Sequence, residues 1–234
     1  MKSRNRIVSC LFAGVMVAGC ATTKVANQQQ LVTGQLPRPN RIWVYDFAAT
    51  AADVPANSAL AGQTSATPQT AQQIAVGRQL GAKIAAELVQ QIQSMGLPAA
   101  QGGAGTAPQL NDIVLQGYLL SVNQGNEAER LVIGFGAGAS ELRTAVEGYQ
   151  ITPQGPRKLG SGTVDSGGSK SPGAVLGIAG LAATGNPAGL IISTGMKVYG
   201  EESGRSTVEG RAKQTAQEIA DVLKQRFQQQ GWIQ

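Results

Sequence analysis

The chain has 234 residues, of which 42% are hydrophobic but only 4% aromatic and 14% charged, with 31 glycines and a formal net charge of +5. That length allows one domain with a sizeable core, although much of the apolar content is alanine, which adds little burial per residue. Histidine is absent and the two cysteines are Cys10 and Cys20, so Ser-His-Asp and Cys-His catalysis and His-ligated zinc are excluded.

Lys2, Arg4 and Arg6 precede a short apolar stretch, Ile7 to Ala18, which leads into Val17-Ala18-Gly19-Cys20. A membrane-spanning helix needs about 20 apolar residues, so the stretch reads as a processing signal. The last four residues resemble the bacterial lipobox, with Val17 where leucine is usual. That resemblance implies cleavage between Gly19 and Cys20, acylation of Cys20 by palmitate-type chains, and, with Ala21 rather than Asp following, sorting to the outer membrane. An ordinary secretory peptide with a chance cysteine is the other reading.

The expected organisation is a lipoprotein signal peptide over 1–19, a lipidated Cys and flexible tether over 20–40, and a single α+β periplasmic domain over 41–234. Loss of Lys2, Arg4 and Arg6 leaves 16 basic against 14 acidic residues, a formal charge of +2. Nucleic acid, which wants a clustered basic face, is therefore not an expected partner. With Cys10 removed and Cys20 acylated, no thiol or disulfide remains, so thiolate metal sites are excluded too. No cofactor and no metal are expected.

Residues 21–40 are polar and Gln-rich and end in Pro37 and Pro39, which suits a tether. "RIWVYDF", Arg41 to Phe47, is a strand with apolar residues on both faces, as in a sheet interior. Residues 48–70 lack periodicity and read as a long loop, either mobile or functional. Ile74, Gly77, Gly81, Ile84, Leu88, Ile92 and Met95 then recur at helical spacing, predicting a helix from Ala71 to Met95 that Gly96 and Pro98 stop. Glycines on or beside its apolar face predict a close neighbour there. Past a Gly/Ala/Pro loop come strands over Asp112–Val122, Arg130–Phe135, Glu141–Thr152 and Arg157–Asp165. Strands in succession after a β-α unit predict an α+β fold with an antiparallel meander.

"LVIGFGAGAS", Leu131 to Ser140, carries Gly134, Gly136 and Gly138. It loosely matches the dinucleotide G-x-G-x-x-G/A pattern. The following "ELRTAVEGYQITP" reads at least as well as a strand as a helix, and no acid sits where a ribose partner belongs. The run therefore reads first as a bulge or kink, and second as a nest of backbone N–H groups for an anion.

Ser171 to Met196 contains no charge. Its small-xxx-small steps and Asn186-Pro187 predict a Gly-rich helical hairpin at 171–200, packed on the domain or used for self-association or membrane contact. Ser206-Thr-Val-Glu209 is a capping box. It opens a final helix with Val208, Ala212, Ala216, Ile219, Leu223 and Phe227 on one stripe.

The lipobox, "RIWVYDF", "GNEAERLVIGFGAGASEL", the "GNPAG" hairpin and the terminal "AKQTAQEIADVLKQRFQQQGWI" together resemble the bacterial lipoproteins of the domain of unknown function 4410 family, over about residues 40–233. That resemblance implies location and domain identity but no reaction. The β-α-β-β-β order is also similar to periplasmic α/β domains of the curli secretion-channel lipoproteins.

The acids Asp46, Glu127, Glu129 and Glu141 form no convincing pair, so no catalytic residue and no enzyme are expected. The leading expectation is an outer-membrane-anchored, periplasm-facing lipoprotein that binds or assembles without catalysis. The alternatives are a ring- or pore-forming export component, or a small-ligand or nucleotide-binding domain using the 134–138 glycines.

Overall fold

The structure, a computed structural model, describes residues 24–58, 61, 70–123, 141–167, 191–192 and 208–234. Its elements are β1 (Lys24–Gln30), β2 (Ile42–Tyr45), α1 (Ala71–Ser94), β3 (Ala99–Gly102), β4 (Ile113–Asn123), β5 (Glu141–Thr152), β6 (Gly155–Gly167), β7 (Ile191–Ile192) and α2 (Val208–Gln229). The strands form one mixed sheet in the order β1-β6-β5-β4-β2-β3, with β7 beside β4. β2 runs parallel to β3 and β4, while β4, β5 and β6 form an antiparallel meander. The class is α+β, as the order of patterns predicts.

Thr70 caps α1: its hydroxyl accepts from the Gln73 amide, and the Gln73 side chain accepts from the Thr70 amide. These bonds satisfy two otherwise orphaned backbone donors. At the other end Gly96 takes φ +82°, the left-handed value that ends helices and favours glycine. Leu80, Ile84, Leu88 and Ile92 of α1 and Ala212, Ala216, Ile219 and Phe227 of α2 are buried on one face of the sheet. They meet Ile42, Val44, Ile113, Leu115, Leu142 and Val164 there. The small alanines of α2 let it approach closely. The chain end folds back, with Trp232 stacked at a tilt on Phe227 and its Nε1 donating to the Leu36 carbonyl.

The expected close neighbour of α1 is Phe47. Its amide donates to the Gly81 carbonyl, and a methyl group at 81 would collide with the Phe47 carbonyl. A Cβ at Gly117 would strike the Phe47 ring in the same way. Two glycines thus let one phenylalanine sit between helix and sheet.

Several expectations are corrected. The tether read over 20–40 contains β1, which pairs antiparallel with β6 from Lys24↔Asp165 to Gln30↔Gly160. Leu31 continues the contact through its amide to Leu159, and Leu36 packs on the core. An edge strand is held by backbone pairing, so its Gln-rich composition masks it. The loop after α1 contains β3, four residues long. The 48–70 loop is ordered over Thr50–Asp53, where a 3-10 turn is capped by Asp53, which also pairs with Arg78 at 2.7 Å. Within the predicted 171–200 hairpin, Ile191–Ile192 are extended and pair parallel with β4. The rest of that hairpin, the Arg130–Phe135 strand and the first residues of the C-terminal capping box lie outside the described residues.

Candidate functional site

The face of the sheet away from the helices carries a polar cluster. Alternation along a strand puts Gln116 and Tyr118 of β4 on this face with Ala145, Glu147 and Tyr149 of β5, because Gln116 pairs with Glu147 and Tyr118 with Ala145. A register shift between β5 and β6 sets Lys158 opposite Tyr149. The segment through Asn57 and Ser58 lies over these side chains.

Glu147 is fully buried. Its Oε1 lies 2.5 Å from Lys158 Nζ. Its Oε2 accepts from the Tyr149 hydroxyl at 2.9 Å and the Tyr118 hydroxyl at 3.1 Å. Ser58 also hydrogen-bonds to Glu147 and Tyr118. Each tyrosine has one proton and two acceptors in reach. For Tyr118 these are Glu147 and Gln116 Oε1, and for Tyr149 they are Glu147 and the Asn57 carbonyl. The charged acceptor makes the stronger bond. With its amide flipped, Gln116 donates to Tyr118 instead of competing for the proton.

Burial pushes the Glu147 carboxyl up. The hydrogen bonds from Lys158 and Ser58, the Lys158 charge and the Tyr149 bond outweigh that and hold it below its ordinary value. Tyr118 and Tyr149 shift the other way: burial raises both, and the Glu147 charge raises them further. The cluster therefore keeps one carboxylate and two neutral phenols around neutral pH. A group fit to move protons there needs a pKa near 7, and these shifts lead away from it. The arrangement can tie three strands and a loop together.

Among the described residues no group of three or more Cys, Asp or Glu side chains is placed to hold a metal ion. No described helix is long and apolar enough to cross a membrane. Gly19 and Cys20, and the glycines 134, 136 and 138, lie outside the described residues, as do Glu127 and Glu129. Asp46 is exposed and accepts from Gln101 Nε2, and Glu141 opens β5 opposite Asn123. Asp46, the one of these acids whose side chain is described, bonds Gln101 and not the polar cluster. Sequence reasoning missed Glu147. Its signal is Glu147-x-Tyr149 beside Gln116-x-Tyr118, two polar-aromatic alternations of period two that share a face.

One further polar group lies under the helices. Arg211 of α2 is buried, and burial lowers its pKa. Its Nη1 donates to Gln214, while Nε finds no partner among the described residues. Nearby on α2, Thr215 bonds Ser166 of β6 at 2.5 Å.

A family model described as "Domain of unknown function (DUF4410)" matches residues 42–188. The chain belongs to this family. The matched span includes Tyr118, Glu147, Tyr149 and Lys158 and leaves out β1 and α2. No curated protein matches the chain in sequence.

Among solved structures, the chain is similar to a leucine-to-methionine variant of the PelC dodecamer from Paraburkholderia phytofirmans in space group C2. That match has 13% identity and a TM-score of 0.36, over 70% of this chain and 89% of that one. The PelC dodecamer from the same organism in space group P6 matches at 13% identity and a TM-score of 0.37, over 70% of this chain and 90% of that one. Likeness at that level carries neither fold nor function from that protein to this one.

Proposed function

We propose that this chain is an envelope lipoprotein, acylated at Cys20 and held at the periplasmic face of the outer membrane, whose domain works by binding or assembly rather than by catalysis. The observation that carries the non-catalytic reading is the closed network at Glu147. Lys158, Tyr118, Tyr149 and Ser58 occupy the carboxylate on all sides. A general acid or base needs a free face toward a substrate.

The start of β1 sharpens the anchoring. Lys24 is already paired with β6, and four residues of extended chain reach at most about 14 Å. A lipid on Cys20 would therefore hold the domain against the bilayer instead of letting it swing on a 20-residue leash.

The test is metabolic labelling with a tagged fatty acid, followed by membrane fractionation. Wild type is expected to be labelled and to travel with the outer membrane. Cys20→Ala is expected to lose the label and remain an unprocessed precursor. A labelled Cys20→Ala protein, or an unlabelled wild type, overturns the assignment.

A further inference from the structure

α2 crosses the sheet where the covered face is almost bare. Gly148 of β5 stands opposite Gly160 of β6, and Gly162 stands opposite Val146, all on the helix side. With no side chains rising from those glycines, a cavity of about 180 Å³ remains under the helix. Its walls are apolar, with Leu115, Val146, Leu159, Leu223, Phe227 and Trp232 among them. Its mouth is polar. Arg226 lies there with its guanidinium donating to the side-chain oxygens of Gln30 and Gln229.

We propose that this cavity binds the chain of a medium-length fatty acid, with the carboxylate at Arg226. The glycine at 148 is the first argument. Its backbone is not left-handed, and an added Cβ would meet only Leu115 Cδ2, at an ordinary 3.5 Å. Neither conformation nor packing requires glycine there, yet its absence of side chain keeps the hollow open.

Size and charge set the ligand class. An apolar cavity of about 150 Å³ stays dry and takes a benzene. By that measure this one takes a single chain of roughly six to eight carbons and has no room for two. The acyl tail of a diacyl lipid is thereby disfavoured against a free fatty acid. Arg226 forms hydrogen bonds only to neutral amides, and no carboxylate among the described residues pairs with it. A guanidinium with no carboxylate partner among the described residues, at the mouth of an apolar hollow, complements a carboxylate head, which it can bind through two parallel bonds.

This proposal rests on the cavity and not on acylation of Cys20, so either can fail alone. Every described element lies within residues 24–234. The chain from Ala21 onward, made without an anchor and free of detergent, therefore contains the whole described fold. Calorimetric titration and melting in octanoate and in 1-octanol test the proposal.

Wild type is expected to bind one octanoate and to melt higher in its presence. Gly148→Val fills the hollow and is expected to lose at least tenfold in affinity for both probes while melting no lower than wild type. If the valine variant does not fold, Gly148→Ala replaces it and is expected to weaken both probes in part. Arg226→Gln is expected to weaken octanoate by roughly tenfold, the loss of charge-assisted bonds, and to leave 1-octanol unchanged. Failure of wild type to bind either probe, undiminished binding by the folded Gly148 variant, or equal loss of both probes in Arg226→Gln overturns the proposal.

Discussion

Glu147 and Lys158 meet across the pairing of β5 and β6, the carboxylate wholly buried and the ammonium 2.5 Å from it and partly exposed. The register shift between Gly148 and Tyr149 brings them together. Removing one partner of a buried pair strands the other charge, which typically costs 3–5 kcal/mol. Because water reaches Lys158, its loss falls at the low end: Lys158→Met should cost about 3 kcal/mol. Glu147→Gln with Lys158→Met should cost less than the sum of the two single changes. A double-mutant cycle from urea unfolding checks this, and additive losses would show the pair to be uncoupled.

The same cluster sets the pH range of stability. Glu147 is held below its ordinary 4.5, so its contribution is complete above that value and is lost as pH falls through the lowered pKa. Tyr118 and Tyr149 are held above their ordinary 10.0. Their contribution is complete below pH 10 and declines as pH climbs past it. Melting temperature plotted against pH should therefore be flat through neutrality and drop on both sides. Glu147→Gln should lower the plateau and flatten the acid limb. An acid limb as steep in the variant as in wild type would assign acid unfolding to other carboxylates, such as Asp53, which Arg78 and Thr50 also hold low against the opposing effect of burial.

Gly81 and Gly148 offer opposite outcomes for one methyl group. At Gly81 the added carbon collides with the Phe47 backbone, so the helix and the segment that follows β2 must separate. Overpacking of this kind costs about 1–3 kcal/mol, occasionally more, and Gly81→Ala should sit at or above the top of that range. At Gly148 the same carbon finds ordinary contact. Gly148→Ala should be neutral or stabilise by roughly 0.4–1 kcal/mol, because it also restricts the unfolded chain. Chemical denaturation of the two variants side by side checks the contrast.

Gly160 locks β1. A methyl there would meet the Gln29 carbonyl oxygen at 2.5 Å. β1 is the edge strand and can give way. Gly160→Ala should release residues 24–30 from β6 while the meander survives. Limited proteolysis should then cut within this segment in the variant and spare it in wild type. Amide exchange should rise in β1 before it rises in β5. Equal protection of both strands would contradict the separate docking of β1.

The helices and the central strands are legible in the sequence because each is specified locally. The Ile84-Leu88-Ile92 repeat and the Gly96 stop place α1 within a residue of its observed end. The stripe of α2 is equally plain and the alternation in β4 and β5 is legible though imperfect in β5, since burial of one face demands a fixed period. The α+β class and the antiparallel meander follow from the order of those patterns.

The absence of histidine also settles much chemistry before any fold is known. The edge strands β1 and β3 are a different matter. They are held by backbone bonds to a neighbour, and a Gln-rich or Ala-rich stretch acquires those bonds only once the neighbour is in place.

The polar cluster needed the tertiary structure for the same reason. Tyr118, Glu147, Tyr149 and Lys158 lie on three strands, and a one-residue change of register would send Glu147 to the helix face. The cavity depends likewise on where α2 crosses a row of glycines that read, one by one, as ordinary strand weak points. Local periodicity determines which segments are helix and strand. Register and helix placement are collective properties of the packed chain, and they alone decide which side chains meet.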